Sequence, residues 1–155
     1  EFAERFLNIN NRVFQNNPKD LVINTHVCRG NYASTWFGQG GYDKIADELF
    51  GKEEVNAYYL EFDTERAGTF ESLAKVSGDK KVVLGLITSK SPTLEEKETV
   101  IARIKEASKY VPLNRLYLSP QCGFASTEEG NRLTEEEQWA KLRFIKEIAD
   151  EVWGK

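Results

Sequence analysis

Four short apolar stretches, each followed by a segment with the spacing of an amphipathic helix, constrain the fold of this chain most strongly. The stretches lie at 21–28, 57–62, 82–87 and 115–119. The run 82–87 contains no polar residue, as expected for a parallel strand that is covered on both faces. The repeat length of roughly 30 residues is that of a strand-helix-strand unit. The alternation therefore predicts one parallel sheet with right-handed crossovers.

A further helix is predicted before the first strand. Phe2, Phe6, Ile9 and Val13 recur at helical spacing and predict an amphipathic helix that ends before Asn17-Pro18. Helices are also predicted after each strand: one from Tyr42 to Gly51, a short one around 70–74, one after a capping box of Thr93 and Glu96, and one after a capping box of Thr134 and Glu137.

Two architectures fit this order of elements. A small open α/β sheet would be complete at 155 residues, whereas a (β/α)8 barrel needs about 250 residues. The chain contains no methionine, and a helical pattern is already present at its first residues. We therefore expect it to be part of a longer protein. We therefore predict an α/β fold that is the C-terminal half of a (β/α)8 TIM barrel, with residues 1–155 forming a single partial domain of four βα units preceded by a helix.

The charge balance excludes several kinds of partner. Lys and Arg number 21 against 25 Asp and Glu, and the resulting net charge of -4 predicts binding neither to nucleic acid nor to an anionic membrane. No apolar run approaches the roughly 20 residues of a membrane span, and the N-terminus lacks the pattern of a signal peptide. We expect a cytoplasmic protein. Because a half barrel leaves two strand edges unpaired, we also expect it to require the N-terminal half of the barrel or to self-associate through those edges.

The residues with metal-binding chemistry collect at strand ends. His26, the only histidine, and Cys28 lie two residues apart at the end of the first strand and can project from one face. Glu61 ends the second strand, and Cys122, the only other cysteine, follows the fourth. The carboxyl ends of parallel strands lie at one rim of the sheet, where function gathers. Imidazole, thiolate and carboxylate groups are all zinc ligands, so the set is consistent with a zinc site.

Other interpretations of these residues are open at this point. Both cysteines could be buried core thiols, the histidine could be a satisfied polar residue, or the cysteines could form a disulfide. Asp63 or Glu65 could take the place of Glu61 as a ligand. The segment Gly38–Gly41 could cradle an anion, but it lacks the lysine of a phosphate loop and is more typical of a flexible rim loop.

Three motifs together resemble the C-terminal catalytic region of cobalamin-independent methionine synthase. They are Thr-His-Val-Cys at 25–28, Leu-Glu-Phe at 60–62, and Leu-Ser-Pro-Gln-Cys-Gly-Phe at 118–124, and the likeness extends over essentially the whole chain. It is greatest to the shorter, single-barrel bacterial relatives. The resemblance implies a (β/α)8 barrel in which His26, Cys28, Glu61 and Cys122 bind Zn2+, and it implies methyl transfer from a methylated folate to the thiol of homocysteine.

The sequence departs from the family pattern at the end of the third strand. The full synthase has a histidine there, whereas this chain has Ile87-Thr88-Ser89. This departure leaves two alternatives: a related thiol methyltransferase that uses a corrinoid or another methyl donor, and a non-catalytic α/β fragment with buried thiols. The family's contacts to substrate come largely from the first half of the barrel, so the isolated piece is expected to be inactive.

Overall fold

The strands form one parallel sheet in chain order. The computed structural model describes residues 2–154, so Glu1 and Lys155, the two ends of the predicted domain, lie outside the described residues. The strands are β1 (Asn24–Val27), β2 (Ala57–Glu61), β3 (Lys81–Ile87) and β4 (Leu116–Pro120), and each pairs in parallel with the next. The predicted α/β class and the order of the βα units are confirmed.

The helices follow the strands as the pattern predicts. They are α1 (Phe2–Phe14), α2 (Ala46–Lys52), α3 (Lys97–Ala107) and α4 (Glu135–Trp153), with short 3-10 segments at Glu65–Ala67, Glu71–Lys75 and Leu113–Arg115. Within residues 2–154, no helix combines the length and the apolar character that crossing a bilayer requires.

The two faces of the sheet have different surroundings. Tyr58, Leu60 and Leu84 are fully buried on the face that packs against the helices. Tyr59 and Tyr117 lie on the opposite face, where they are 40% and 43% exposed. His26 is paired in register with Tyr59, so its side chain lies on this second face. In a (β/α)8 barrel, the sheet face that is not covered by helices lines the interior. In this chain, that face carries the candidate ligands.

Several predicted boundaries shift. The first strand begins at Asn24 rather than at Leu21, because Leu21 and Val22 are 50% and 66% exposed and do not enter the sheet. The helix predicted around 70–74 is a 3-10 segment at Glu71–Lys75. The helix predicted from Tyr42 begins at Ala46, since Tyr42 is buried and donates its hydroxyl to the Glu61 carbonyl over 3.1 Å.

One of the two predicted capping boxes forms. Thr134 accepts from the Glu137 N–H while the Glu137 carboxylate accepts from the Thr134 N–H, which confirms the start of α4. The box predicted at Thr93 is wrong, because α3 begins at Lys97 with no side-chain cap. The reason lies in tertiary contacts: Glu95 accepts from the Thr88 N–H and also meets the buried ammonium of Lys141, which holds residues 93–96 in an irregular segment.

The predicted amphipathic helix α1 forms, but its apolar face is not covered by the described residues. Phe2, Phe6, Ile9 and Val13 are 76%, 52%, 50% and 65% exposed. Leu7, which is not part of the predicted apolar stripe, is the buried residue of this helix. Helix α1 therefore contacts the rest of the domain with one edge and presents its apolar stripe outward.

Candidate metal centre

His26, Cys28, Glu61 and Cys122 come together at the carboxyl ends of the strands. One ligand atom from each lies within 4.8 Å of the corresponding atoms of the other three. Asp63 and Glu65, the alternatives to Glu61, do not belong to this group; Asp63 forms an ion pair with Arg66 instead. The donor set therefore has one imidazole, two thiols and one carboxylate.

Curvature of the sheet makes this convergence geometrically feasible. β1 and β4 lie at opposite edges, and in a flat sheet three strand spacings would separate them by about 14 Å. Cys28 follows β1 and Cys122 follows β4, yet their Sγ atoms are 3.4 Å apart. The sheet is thus curled toward its open face, as in a barrel wall, and the curl brings the side chains from its two edges together.

The imidazole of His26 is oriented by the backbone of the neighbouring strand. Nδ1 lies 3.0 Å from the carbonyl oxygen of Tyr59. A carbonyl oxygen can only accept, so Nδ1 carries a proton; in the neutral imidazole this leaves the free lone pair on Nε2. Nε2 is 3.4 Å from Cys122 Sγ and faces the other donors. This arrangement is the usual one for a metal-binding histidine, whose second nitrogen donates to a carbonyl or carboxylate.

Neither cysteine is a core residue, and the two do not form a disulfide. Both are free, with Cys28 exposed and Cys122 partly buried. The Gly30 N–H donates to Cys28 Sγ over 3.2 Å. Burial raises the pKa of the Cys122 thiol above its ordinary value, and the hydrogen bond and charge of Cys28 together with Glu61 raise that pKa further. Groups that would carry like charges crowd together here, so a bound dication would favour their deprotonated forms.

Glu61 is fully buried at the base of the group. Its Oε1 accepts from the Arg29 N–H over 3.1 Å and lies 3.4 Å from Cys122 Sγ. Its Oε2 is 3.2 Å from Arg66 Nη2, without the geometry of a hydrogen bond, and has no hydrogen-bond partner within residues 2–154. A buried carboxylate beside two thiols and an imidazole fits Zn2+ in both charge and ligand type.

The loop after β1 is fixed by Arg29, a contribution that sequence reasoning missed. The Arg29 guanidinium donates to the Gly40 carbonyl over 2.7 Å and to the Tyr42 hydroxyl over 2.9 Å. The Gly40 N–H donates to the Arg66 carbonyl. The predicted flexible segment Gly38–Gly41 is thus attached to two arginines, and this use of its backbone gives no support to an anion cradle. The sequence signal that could have indicated this role is the position of Arg29, directly after the candidate ligands His26 and Cys28.

A second contribution that sequence reasoning missed is a polar link between the loops that carry the two cysteines. Asn31 donates to the Gly123 carbonyl over 2.7 Å and to Ser126 Oγ over 2.6 Å. Asn131 in turn donates to the Asn31 carboxamide oxygen over 2.9 Å and to the Ser89 carbonyl over 2.7 Å. Asn31 lies three residues after Cys28 and Asn131 nine residues after Cys122, but the two asparagines are 100 residues apart in sequence.

The end of β3 carries neutral polar groups. The Gln121 carboxamide oxygen accepts from both the N–H and the hydroxyl of Ser89, over 2.6 Å and 2.9 Å, and both residues are buried. Carboxamides and aliphatic hydroxyls donate and accept hydrogen bonds but do not ionise near neutral pH. Gln121, together with His26, Tyr59 and Cys122, also lines a cavity of about 220 Å³ beside the candidate metal ligands.

The chain matches known proteins over nearly its whole length. Residues 10–151 match the family model described as the catalytic domain of the cobalamin-independent synthase. An uncharacterized protein of Bacillus subtilis, YxjG, is 51% identical over 154 residues, which are 99% of this chain and 41% of that protein. A methionine synthase of Pyrococcus horikoshii is 27% identical over 66% of this chain and 27% of its own length.

A solved structure has the same fold. A crystal structure from Listeria monocytogenes, of a proposed vitamin-B12-independent methionine synthase, superposes with a TM-score of 0.75 at 41% identity, covering 99% of this chain and 42% of the other. The chain thus spans less than half the length of these relatives. Because the family model matches well over half of its residues, the chain belongs to the family of the cobalamin-independent methionine synthase catalytic domain.

Proposed function

We propose that this chain supplies the zinc site of a cytoplasmic methyltransferase that methylates a small thiol, with homocysteine as the acceptor and a methylated folate as the donor. The observation that carries the proposal is the convergence of four zinc-type donors within 4.8 Å at the carboxyl ends of three parallel strands. His26, Cys28, Glu61 and Cys122 would hold the ion. Membership of the methionine synthase family supports the reaction class.

The chemistry follows from the properties of the donors. Zn2+ held there would lower the pKa of a substrate thiol, so that the thiolate sulfur could bond to the methyl carbon while the bond from that carbon to the donor breaks and the demethylated donor leaves with the electron pair. His26 contributes a neutral nitrogen whose orientation is set by the Tyr59 carbonyl. The cavity beside Cys122 provides space at the ligands for a small substrate.

Metal analysis tests the metal site. The chain purified under reducing conditions should carry close to one equivalent of zinc, and Cys28→Ser or Cys122→Ser should reduce that content sharply. Tyr117→Phe, which changes a half-exposed residue on the same face of the sheet, should leave the zinc content unchanged. A wild-type protein that binds no zinc under these conditions would sink the proposal.

The methyl donor is a separate question, and one observation favours a second candidate. Residues Ile87–Ser89 replace the histidine expected from the family pattern, and His26, the only histidine, lies in the metal site. A donor whose leaving group needs no protonation, such as a methylcorrinoid, is therefore the second candidate. Methyl transfer to homocysteine should be measured with each donor in a protein that contains all eight βα units, since we expect the isolated chain to be inactive.

We further propose that the open face and edges of this sheet are completed by further βα units, which belong either to the same polypeptide or to another chain. Two observations support this: the outward apolar stripe of α1 and the unpaired outer edges of β1 and β4 within the described residues. An eight-stranded barrel would cover both.

A further inference from the structure

Arg66 makes a contact with Glu61 that neither the motif pattern nor the metal chemistry requires. Its side chain is 8% exposed, and Nη2 lies 3.2 Å from Glu61 Oε2. The same nitrogen donates to both carboxylate oxygens of Asp63, over 3.0 Å and 3.3 Å. The guanidinium also lies over the ring of Trp36, 5.3 Å from its centroid. Asp63 and Trp36 thus fix the guanidinium in front of Glu61.

The two oxygens of the Glu61 carboxylate have different neighbours. Oε1 faces Cys122 and the Arg29 N–H, whereas Oε2 faces Arg66. A half-turn of the carboxylate would only exchange two equivalent oxygens, whereas a quarter-turn would move Oε2 away from Arg66, the only cation paired with this carboxylate in the described part of the chain. A buried carboxylate oxygen separated from its counter-charge is strongly disfavoured.

A second carboxylate beside Arg66 balances part of its charge. Asp63, whose side chain is 1% exposed, lies at 3.0 Å from the same guanidinium nitrogen and offsets its positive charge. What remains is an orienting effect on Glu61. Partners of this kind behind a metal ligand typically change metal affinity by about 10- to 100-fold.

We propose that Arg66 is a positioning residue that holds Glu61 with Oε1 directed toward the metal ion. The inference rests on the proposed zinc site and adds to it the group that orients the carboxylate ligand. Asp63 and Trp36 act through Arg66; their side chains contact its guanidinium, and Asp63 is not one of the four clustered donors.

A double-mutant cycle on zinc affinity tests the proposal. Zinc affinity is measured by chelator competition for wild type, Arg66→Gln, Glu61→Gln and the double variant, with circular dichroism to verify that each is folded. Arg66→Gln should weaken zinc binding about 10- to 100-fold. It should have little further effect when Glu61 is already Gln. Cobalt-loaded Arg66→Gln should also show altered d–d absorption bands, which a purely structural role away from the ligand would not change.

Three further variants keep the result interpretable. Asp63→Asn releases the anchor of Arg66 without changing Glu61, and it should weaken zinc binding in the same direction even if Arg66→Gln does not fold. Arg66→Lys should bind zinc more tightly than Arg66→Gln but more weakly than the wild type, because lysine keeps the positive charge but lacks the planar guanidinium group. Arg115 directly precedes β4 and donates to the Gly78 carbonyl, which precedes β3; Arg115→Gln removes this bond and should leave zinc affinity unchanged.

The outcomes separate this proposal from the zinc site itself. Equal losses from Arg66→Gln in the presence and absence of Glu61 would overturn the positioning role while leaving the zinc site intact. Absence of zinc binding in the wild type would overturn the site, and the role of Arg66 with it.

Discussion

At the scale of single residues, the site depends on hydrogen bonds that assign each donor atom its role. The imidazole of His26 is the clearest case, since its Nδ1 meets the Tyr59 carbonyl and its Nε2 faces Cys122. The backbone of β2 thereby selects the tautomer before any ion binds. The carboxylate of Glu61 is oriented in a similar way: one oxygen accepts from the Arg29 N–H, and the other faces the guanidinium of Arg66.

This assignment gives a prediction for His26 that can be measured directly. Long-range 1H–15N NMR spectra of the metal-free chain at alkaline pH, where an imidazole is neutral, should show the tautomer with the proton on Nδ1. Zinc should then shift the Nε2 resonance while Nδ1 stays protonated. The chain has one histidine, so the signals need no assignment by mutation. A dominant Nε2–H tautomer in the metal-free protein would contradict the role of the Tyr59 carbonyl.

At the scale of elements, the site depends on close packing between strand ends. Gly85 lies in β3 where the register with β4 shifts. A Cβ at this position would lie 2.7 Å from the Leu60 carbonyl oxygen and 2.7 Å from the Gln121 Cα, both of them backbone atoms. Gln121 immediately precedes Cys122, so the spacing between β3 and the loop after β4 sets the position of a candidate ligand.

Gly85→Ala should therefore impair both stability and metal binding. Overpacking of this kind costs about 1–3 kcal/mol in the free energy of unfolding. Zinc affinity should fall as well, because the displaced backbone carries Cys122. Gly123→Ala is the matched control: a Cβ there meets no atom within 4 Å. Urea unfolding and chelator competition measure the two effects, and equal behaviour of the two variants would show that the contact at Gly85 does not position Cys122.

At the scale of the whole molecule, the chain has surfaces typical of an incomplete barrel. The two edges of the sheet bring Cys28 and Cys122 Sγ to 3.4 Å from each other. The open face exposes Tyr59 and Tyr117, and α1 directs four large apolar residues outward. Exposed apolar patches and unpaired strand edges both promote association.

The 155-residue chain on its own is expected to self-associate. Sedimentation velocity over a range of concentrations should show oligomers, and Ile9→Lys, which places a charge within the apolar stripe of α1, should shift the distribution toward smaller species. Lys19→Glu, a charge change outside that stripe, should leave the distribution nearly unchanged. A stable, monodisperse wild-type monomer would count against the completion of this sheet by further βα units.

The sequence by itself determined the order of the elements. Periodicity is local, so the apolar runs and helical spacings were sufficient to predict four βα units and a parallel sheet. It also placed His26, Glu61 and Cys122 at strand ends, because the strand boundaries can be read from neighbouring residues. The capping box at Thr134 was predictable for the same reason, since its partners are three residues apart.

Only the tertiary structure decided which of these residues meet. Cys28 and Cys122 are 94 residues apart in sequence, and they meet because the sheet curls, a property of packing that no local pattern encodes. By its position in the sequence, Asp63 could also have been a ligand. In the structure its carboxylate instead forms an ion pair with the guanidinium of Arg66. The box predicted at Thr93 failed because Glu95 binds Lys141 on a distant helix. Short-range spacing thus fixes which groups reach the rim, whereas long-range packing determines their partners.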